Sequence, residues 1–243
     1  VAVDLPGHGH SDWRDDGRYD PRTMADDVAV VIARLAPTAR VQVGMSLGGL
    51  TSLGVAAHHG DLVGHLVLVD ITPGVNAKKA KAVIDFVDGP QSFASFQDLV
   101  DRTMEHNPTR SESSLRRGIL HNAHQLEDGS WQWRYDRSSH ARTRSDHQDG
   151  QDDRDDGAPR GPGAAGDVGD VGDERSPLWD DLATITGPLT LVRGSVSPVV
   201  DDDDVAEARR LQPGITVHVV DGAGHSVQGD RPVELAAIIS SLL

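Results

Sequence analysis

The chain has 243 residues, enough for one sizeable domain with an inserted subdomain. Its formal net charge of −15 disfavours nucleic acid and anionic membranes as partners, and no apolar run approaches the roughly 18 residues of a membrane span. Cysteine is absent, which excludes disulfides, thiolate zinc sites and cysteine nucleophiles, and we predict a soluble cytoplasmic protein. No cofactor is implied, and the acidic tracts lack the loop pattern of a calcium site, so no metal is predicted.

The first 73 residues alternate apolar runs of strand length with segments whose apolar residues recur at helical spacing. The predicted elements are a strand at 1–5, a helix at 21–36, a strand at 41–43, a helix at 48–59 and a strand at 66–69. The last strand is apolar throughout, which is typical of a strand buried on both faces.

The pattern changes over residues 74–136. Three amphipathic helices are predicted at 77–87, 92–106 and 111–126, without strands between them, and a small hairpin at 129–133. We interpret this stretch as a helical cap inserted between two strands of the core.

The next segment, residues 137–176, contains no Leu, Ile, Met, Phe, Tyr or Trp. Such a segment cannot bury enough surface to offset its ordering entropy, so we predict that it is disordered. A frame-shifted stretch of coding sequence would have a similar composition.

The remaining residues, 177–243, return to alternating strands and helices. The predicted elements are strands at 189–192 and 215–220 and helices at 202–211 and 231–243. This alternation indicates an α/β fold, with a mostly parallel sheet and helices on both faces, built from residues 1–73 and 177–243. Because the chain starts at Val1, inside an apparent strand and without an initiator Met, we expect a fragment whose first strands are missing.

A nucleophile motif follows the strand at 41–43. Residues 44–48 read GMSLG and match G-x-S-x-G, with Ser46 at its centre, between a predicted strand and a predicted helix. This setting puts Ser46 on a strained turn at the C-terminal edge of the sheet, and we expect the flanking glycines to avoid steric clashes there. The backbone N–H of Leu47, at the start of the helix, is positioned to stabilise an oxyanion.

His225 is the candidate general base. It follows the last predicted strand in the sequence Gly222-Ala223-Gly224-His225, and it comes after the nucleophile in the chain. The chain has 12 histidines, and most of the others lie on predicted helices or in polar segments. His225 combines the strand-end position with the expected chain order.

Residues 4–11, DLPGHGHS, resemble the D-x-P-G-x-G-x-S loop of α/β-hydrolases. Residues 44–49 and 222–225 add two further motifs in the order of that superfamily, and the chain looks like a serine esterase of this kind. The resemblance implies a mostly parallel sheet, a helical cap over the active site and acyl transfer through a covalent serine ester.

The motifs leave the acid of the triad open. Most of the family carries it as G-x-x-D after the strand that precedes the base, but Ser197 stands in that window here. A small group of family esterases looks similar, with serine at that position and the acid where this chain has Asp70, after the strand at 66–69. We therefore prefer Asp70 as the acid, with Ser197 adding a hydrogen bond to the same imidazole ring. Asp201 and Asp202, in a run of four carboxylates, are alternatives, followed by Asp221.

The resemblance implies that a second oxyanion donor lies in a loop upstream of Asp4. We therefore expect an active full-length parent and a chain that is weakly active or poorly folded as it stands.

The predicted activity is carboxylesterase-like hydrolysis of a small-molecule ester through an acyl-enzyme. A carbon–carbon bond hydrolase or a lactonase would use the same triad, and a catalytically dead scaffold that binds a ligand is the non-enzymatic alternative. Five aromatic residues of the cap either line an acyl pocket or, as we favour, pack the cap itself: Phe86, Phe93, Phe96, Trp131 and Trp133.

Overall fold

The computed structural model describes residues 1–136 and 175–243, so the predicted disorder of 137–176 falls almost wholly outside the described residues. The helices and strands in chain order are α1 (Pro21–Leu35), β1 (Gln42–Met45), α2 (Leu47–His58), β2 (Leu66–Val69), α3 (Lys81–Val87), β3 (Ser92–Phe93), α4 (Phe96–His106), α5 (Glu112–Asn122), β4 (Ala123–Gln125), β5 (Trp131–Trp133), α6 (Leu178–Thr184), β6 (Leu189–Gly194), α7 (Asp202–Leu211), β7 (Thr216–Val220), α8 (Val227–Asp230) and α9 (Pro232–Ser240).

The main sheet has four parallel strands in the order β1-β2-β6-β7. Its central strand β2 pairs with β1 on one side and with β6 on the other, and all four of its residues are buried. The predicted parallel sheet is confirmed. Parallel strands bring their carboxyl ends to one edge, so the segments after β1, β2, β6 and β7 meet there.

Side chains of β2 alternate between the two faces of the sheet. Leu66 and Leu68 belong to a core cluster that includes residues of α2, α6 and α7. Val67 and Val69 belong to a second cluster, formed with residues of α8 and α9. This alternation is what a period of two residues produces in a strand covered on both faces, and it confirms the predicted helix layers.

Residues 1–5 do not form a strand, so that prediction is wrong. A strand needs a neighbouring ladder, and here the segment is tied into a local loop instead. The Asp4 carboxylate accepts the backbone N–H of His10 at 3.0 Å, and the Ser11 hydroxyl donates to the Asp4 carbonyl at 2.7 Å. A Cβ on Gly9 would lie only 2.3 Å from the Asp4 carboxylate. The segment at 4–11 is therefore a turn closed by hydrogen bonds to Asp4, and position 9 has no room for a side chain.

The elements from α3 to β5 lie between β2 and β6 in the chain and have their own antiparallel sheet, in the order β3-β5-β4. The prediction of three helices without intervening strands is therefore wrong. Ser95 caps α4 by accepting the N–H of Asp98, so the helix begins after the strand pair of Ser92 and Phe93. Strands of two or three residues are too short to show a period of their own, and they merge with the adjacent helical patterns.

No helix in the described ranges 1–136 and 175–243 is long and apolar enough to cross a membrane. The division of the chain into a core at 1–73 and 177–243 and a cap at 74–136 stays a prediction.

Candidate active site

Ser46 lies on the turn between β1 and α2, with φ +51° and ψ −125°. A side chain disfavours this backbone conformation by about 1–3 kcal/mol, so the surrounding structure must hold it. The N–H of Ser46 donates to the Val69 carbonyl at 3.3 Å, and its own carbonyl accepts the N–H groups of Gly49 and Leu50 at 2.8 and 3.1 Å. The turn is thus anchored to the neighbouring strand and to the first turn of α2.

The glycines around Ser46 differ in what they do. A Cβ on Gly44 would lie 2.2 Å from the Gly48 carbonyl oxygen, and a Cβ on Gly49 would lie 2.4 Å from a methyl group of Ile71. A Cβ on Gly48 would meet nothing within 4 Å. The expectation that both flanking glycines prevent clashes therefore holds for Gly44 and is wrong for Gly48.

Replacing Gly44 with alanine is expected to destabilise the protein by about 1–3 kcal/mol, because two backbone segments must move apart to admit the methyl group. The matched variant Gly48→Ala is expected to be neutral or stabilising by about 0.4–1 kcal/mol, since the site is open and the unfolded chain loses freedom. Denaturant unfolding of both variants measures the difference. Equal stability of the two would contradict the packing of this turn.

His225 follows β7 and faces Ser46. Its Nε2 lies 3.1 Å from Ser46 Oγ, and its side chain is 18% exposed. The structure therefore brings together the two residues that the motifs single out, at a distance suited to proton transfer. Of the two histidines in the loop after residues 1–5, His8 contacts the Pro6 carbonyl at 3.0 Å, and His10 lies beside Asp4.

Asp70 directly follows β2 and is fully buried. Its carboxylate lies within 2.8 Å of His225 Nδ1, accepts the Gly194 N–H at 2.9 Å and accepts the Ser197 hydroxyl at 2.5 Å. A buried carboxylate needs such partners, because desolvation disfavours an unpaired charge. The Ser197 hydroxyl thus bonds the carboxylate and not the imidazole ring, which differs from the expectation from the sequence. The contact with Gly194 was not predicted either, since a backbone donor leaves no residue-type signal.

The alternative acids lie elsewhere. Asp201 caps α7 in a capping box with Asp204, and Lys79 binds both carboxylates, at 2.8 and 2.7 Å. Burial is the largest single influence on Asp201 and works against its ionisation. The hydrogen bonds from Lys79 and from the Asp204 N–H, together with the Lys79 charge, outweigh it and lower the Asp201 pKa. For Asp204 burial is larger and raises the pKa despite Lys79. Asp202 pairs with Arg193 at 2.6 Å. These contacts give the acidic run a helix-capping role.

The last candidate, Asp221, accepts a hydrogen bond from the Ser195 hydroxyl at 3.3 Å. The imidazole of His225 is instead within reach of Asp70.

Leu47 is the first residue of α2. The first N–H groups of a helix have no partner within the helix, and the helix dipole adds positive potential there. The Leu47 N–H therefore has the location that an oxyanion donor next to Ser46 requires.

The five aromatic residues of the predicted cap pack against one another. Phe93 and Trp133 are buried in a cluster with Leu99 and Ile119, and Phe86, Phe96 and Trp131 are partly buried against it. A groove of about 430 Å³ runs between residues 9–13 and this small sheet, and Trp133 forms part of its wall, but its walls include neither Ser46 nor His225. The aromatic residues thus serve as a packed core, as favoured from the sequence.

The sequence profile of a family described as the alpha/beta hydrolase fold matches residues 1–232. Esterase Rv0045c of Mycobacterium tuberculosis is 40% identical over 250 residues, which cover 100% of this chain and 74% of the esterase. The 2-(acetamidomethylene)succinate hydrolase of Mesorhizobium japonicum is 29% identical over 98% of this chain and 76% of its own length.

Solved structures agree with this likeness. The crystal structure of the mycobacterial esterase superposes with a TM-score of 0.76 at 41% identity and covers 99% of this chain and 73% of that chain. The crystal structure of an E-2-(acetamidomethylene)succinate hydrolase gives a TM-score of 0.79 at 27% identity and covers 99% of this chain and 80% of that chain.

Proposed function

Because this chain belongs to the α/β-hydrolase fold family and resembles an esterase over its whole length, we propose that it hydrolyses carboxylic esters through an acyl-enzyme on Ser46. The observation that carries the proposal is the chain of contacts from Ser46 Oγ through His225 to Asp70, at 3.1 and 2.8 Å. Small-molecule esters are the proposed substrates. A cytoplasmic location stays a prediction from composition.

The proposed roles follow from the atoms that face each other. His225 keeps its proton on Nδ1, where Asp70 accepts it, so Nε2 is free to take the Ser46 proton as Oγ attacks the carbonyl carbon. The Leu47 N–H stabilises the oxyanion of the tetrahedral intermediate. His225 then gives its Nε2 proton to the leaving alcohol. A water molecule repeats the sequence on the acyl-enzyme and regenerates Ser46.

Asp70 and Ser197 act behind the imidazole in this proposal. The carboxylate stabilises the imidazolium that forms during each proton transfer, and the Ser197 hydroxyl holds the carboxylate in place. Ser197 also accepts the Val199 N–H at 3.2 Å, which orients the hydroxyl proton toward Asp70.

Labelling with a fluorophosphonate probe tests the activated serine. Phosphonylation needs a deprotonated Ser46, so we expect stoichiometric labelling of the folded protein and none of Ser46→Ala. Turnover of p-nitrophenyl esters of increasing acyl length, with the same control, then tests ester hydrolysis and acyl preference. A folded sample that binds esters without labelling or turnover would contradict the proposal and favour a ligand-binding scaffold.

A second candidate activity is supported by the likeness to 2-(acetamidomethylene)succinate hydrolase. In that case Ser46, His225 and Asp70 would hydrolyse a succinate derivative of this kind and not a simple ester. Labelling without turnover of any ester in the series, together with hydrolysis of that succinate derivative, would favour this second activity.

A further inference from the structure

The loop that carries His225 is closed by a side chain from the helix that follows it. Asp230, the last residue of α8, accepts the N–H of Gly224 at 2.7 Å. Gly224 immediately precedes His225, and hydrogen bonds to an ionised carboxylate are stronger than those between neutral groups. The Asp230 carboxylate therefore fixes the peptide unit next to the base.

On its other side, the loop that carries His225 packs against residues 194–196, and Gly194 in this segment donates a hydrogen bond to Asp70. The Ala223 carbonyl accepts the Val196 N–H at 3.1 Å. A Cβ on Gly194 would lie 2.4 Å from the carbonyl oxygens of Ala223 and Gly224, so the two backbones are in close contact. The loop is thus held by Val196 on the side near Asp70 and by Asp230 on the other side.

Arg110, from the turn between α4 and α5, lies against Gly229 of α8. Its Nη2 donates to Ser114 Oγ at 3.0 Å, and that hydroxyl donates to the Gly229 carbonyl at 3.4 Å. Arg110 Nε and Asp230 Oδ1 are both buried and, among the described residues, have no hydrogen-bond partner. Burial lowers the pKa of Arg110, and the negative charge of Asp230 opposes that shift.

We propose that Asp230 is a positioning residue for His225. The carboxylate holds the Gly224 N–H and thereby keeps His225 Nε2 aimed at Ser46 and Nδ1 aimed at Asp70. Arg110, hydrogen-bonded through Ser114 Oγ to the Gly229 carbonyl, supports the end of α8 that carries Asp230. This inference rests on the proposed role of His225.

The test compares two variants that both remove the charge of Asp230. Asp230→Ala removes the acceptor and is expected to lower kcat about 10- to 100-fold with KM nearly unchanged, because the base loses its alignment. Asp230→Asn keeps an amide oxygen that accepts the Gly224 N–H, and we expect most of kcat to remain. If Asp230→Ala does not fold, Asp230→Glu, which keeps the charge and displaces the oxygens, is expected to lower kcat in the same way.

A spectroscopic measurement separates positioning from a loss of stability. The low-field proton resonance of His225 Nδ1–H, assigned by its absence in His225→Ala, is expected to weaken or shift in Asp230→Ala and to persist in Asp230→Asn. Asp20→Ala is the matched control, because Asp20 also caps a backbone N–H, that of Thr23 at 2.9 Å in α1. This control is expected to lose stability and to keep both the resonance and kcat.

The following results would overturn the inference. An unchanged kcat and resonance in the folded Asp230→Ala or Asp230→Glu variant removes the positioning role, as does an equal loss in Asp230→Ala and Asp230→Asn. Full activity in His225→Ala would show that His225 is not the base, and it would contradict the proposed function as well. Loss of activity in His225→Ala without any loss in Asp230→Ala overturns this inference alone.

Discussion

Replacing Ser46 with alanine is expected to lower kcat by about six orders of magnitude, to the residual rate that binding and the oxyanion donor alone support. The same loss is expected for His225→Ala, because Ser46 Oγ without a base remains a neutral hydroxyl at neutral pH. In the proposed mechanism the two residues act as one unit across 3.1 Å, so the double variant should lose no more than either single variant. Steady-state hydrolysis of a p-nitrophenyl ester at saturating concentration measures kcat for all three variants.

The controls for this comparison of single and double variants separate catalysis from folding. His121→Ala removes an exposed histidine at the end of α5 and is expected to leave kcat unchanged. Far-ultraviolet circular dichroism of each variant checks that the fold is retained. Additive losses, with the double variant far below both single variants, would show that Ser46 and His225 do not share a proton-transfer step.

Local sequence patterns predict the helices and strands whose own residues show a clear apolar run or a clear helix start. The boundaries of β2 and α7 agree with the predicted ranges 66–69 and 202–211, because an apolar run and an acidic helix start are readable from adjacent residues. Ser46 and His225 could be located for a similar reason. Each lies at the end of a strand, and parallel strands bring such ends to one edge.

Features that depend on distant partners could not be predicted in this way. Residues 1–5 have the composition of a strand, but a strand exists through a ladder with another segment. The small strands β3 and β4 exist because β5 pairs with both, across up to about forty residues of chain. Asp230 gave no signal, because its role depends on a bond to the backbone of Gly224.

Backbone strain is concentrated at two residues of the proposed triad. In the described parts of the chain, the non-glycine residues with positive φ are Ser46 at +51° and Asp70 at +50°. Both lie where a strand of the main sheet ends, and each turn directs a short side chain toward His225. Strained backbone persists where the surrounding structure enforces it, and it is common at active sites. The strain thus supports Asp70 independently of the motif comparison.

Asp70→Asn is expected to lower kcat by up to about four orders of magnitude, and Ser197→Ala by a smaller factor. Asparagine fits the cavity and tolerates positive φ, so the variant should fold. Its amide nitrogen, however, donates a hydrogen bond where His225 Nδ1 needs an acceptor. The imidazole then carries its proton on Nε2 and cannot accept one from Ser46.

The matched control for this prediction is Asp202→Asn, which removes an exposed carboxylate paired with Arg193 and is expected to leave kcat nearly unchanged. Steady-state hydrolysis of one p-nitrophenyl ester by the three variants gives the order of effects. A larger loss in Asp202→Asn than in Asp70→Asn would reverse the assignment of the acid. A loss in Ser197→Ala as large as that in Asp70→Asn would show that the hydroxyl, and not the carboxylate alone, sets the state of the imidazole, because Ser197 reaches the ring only through Asp70 in this structure.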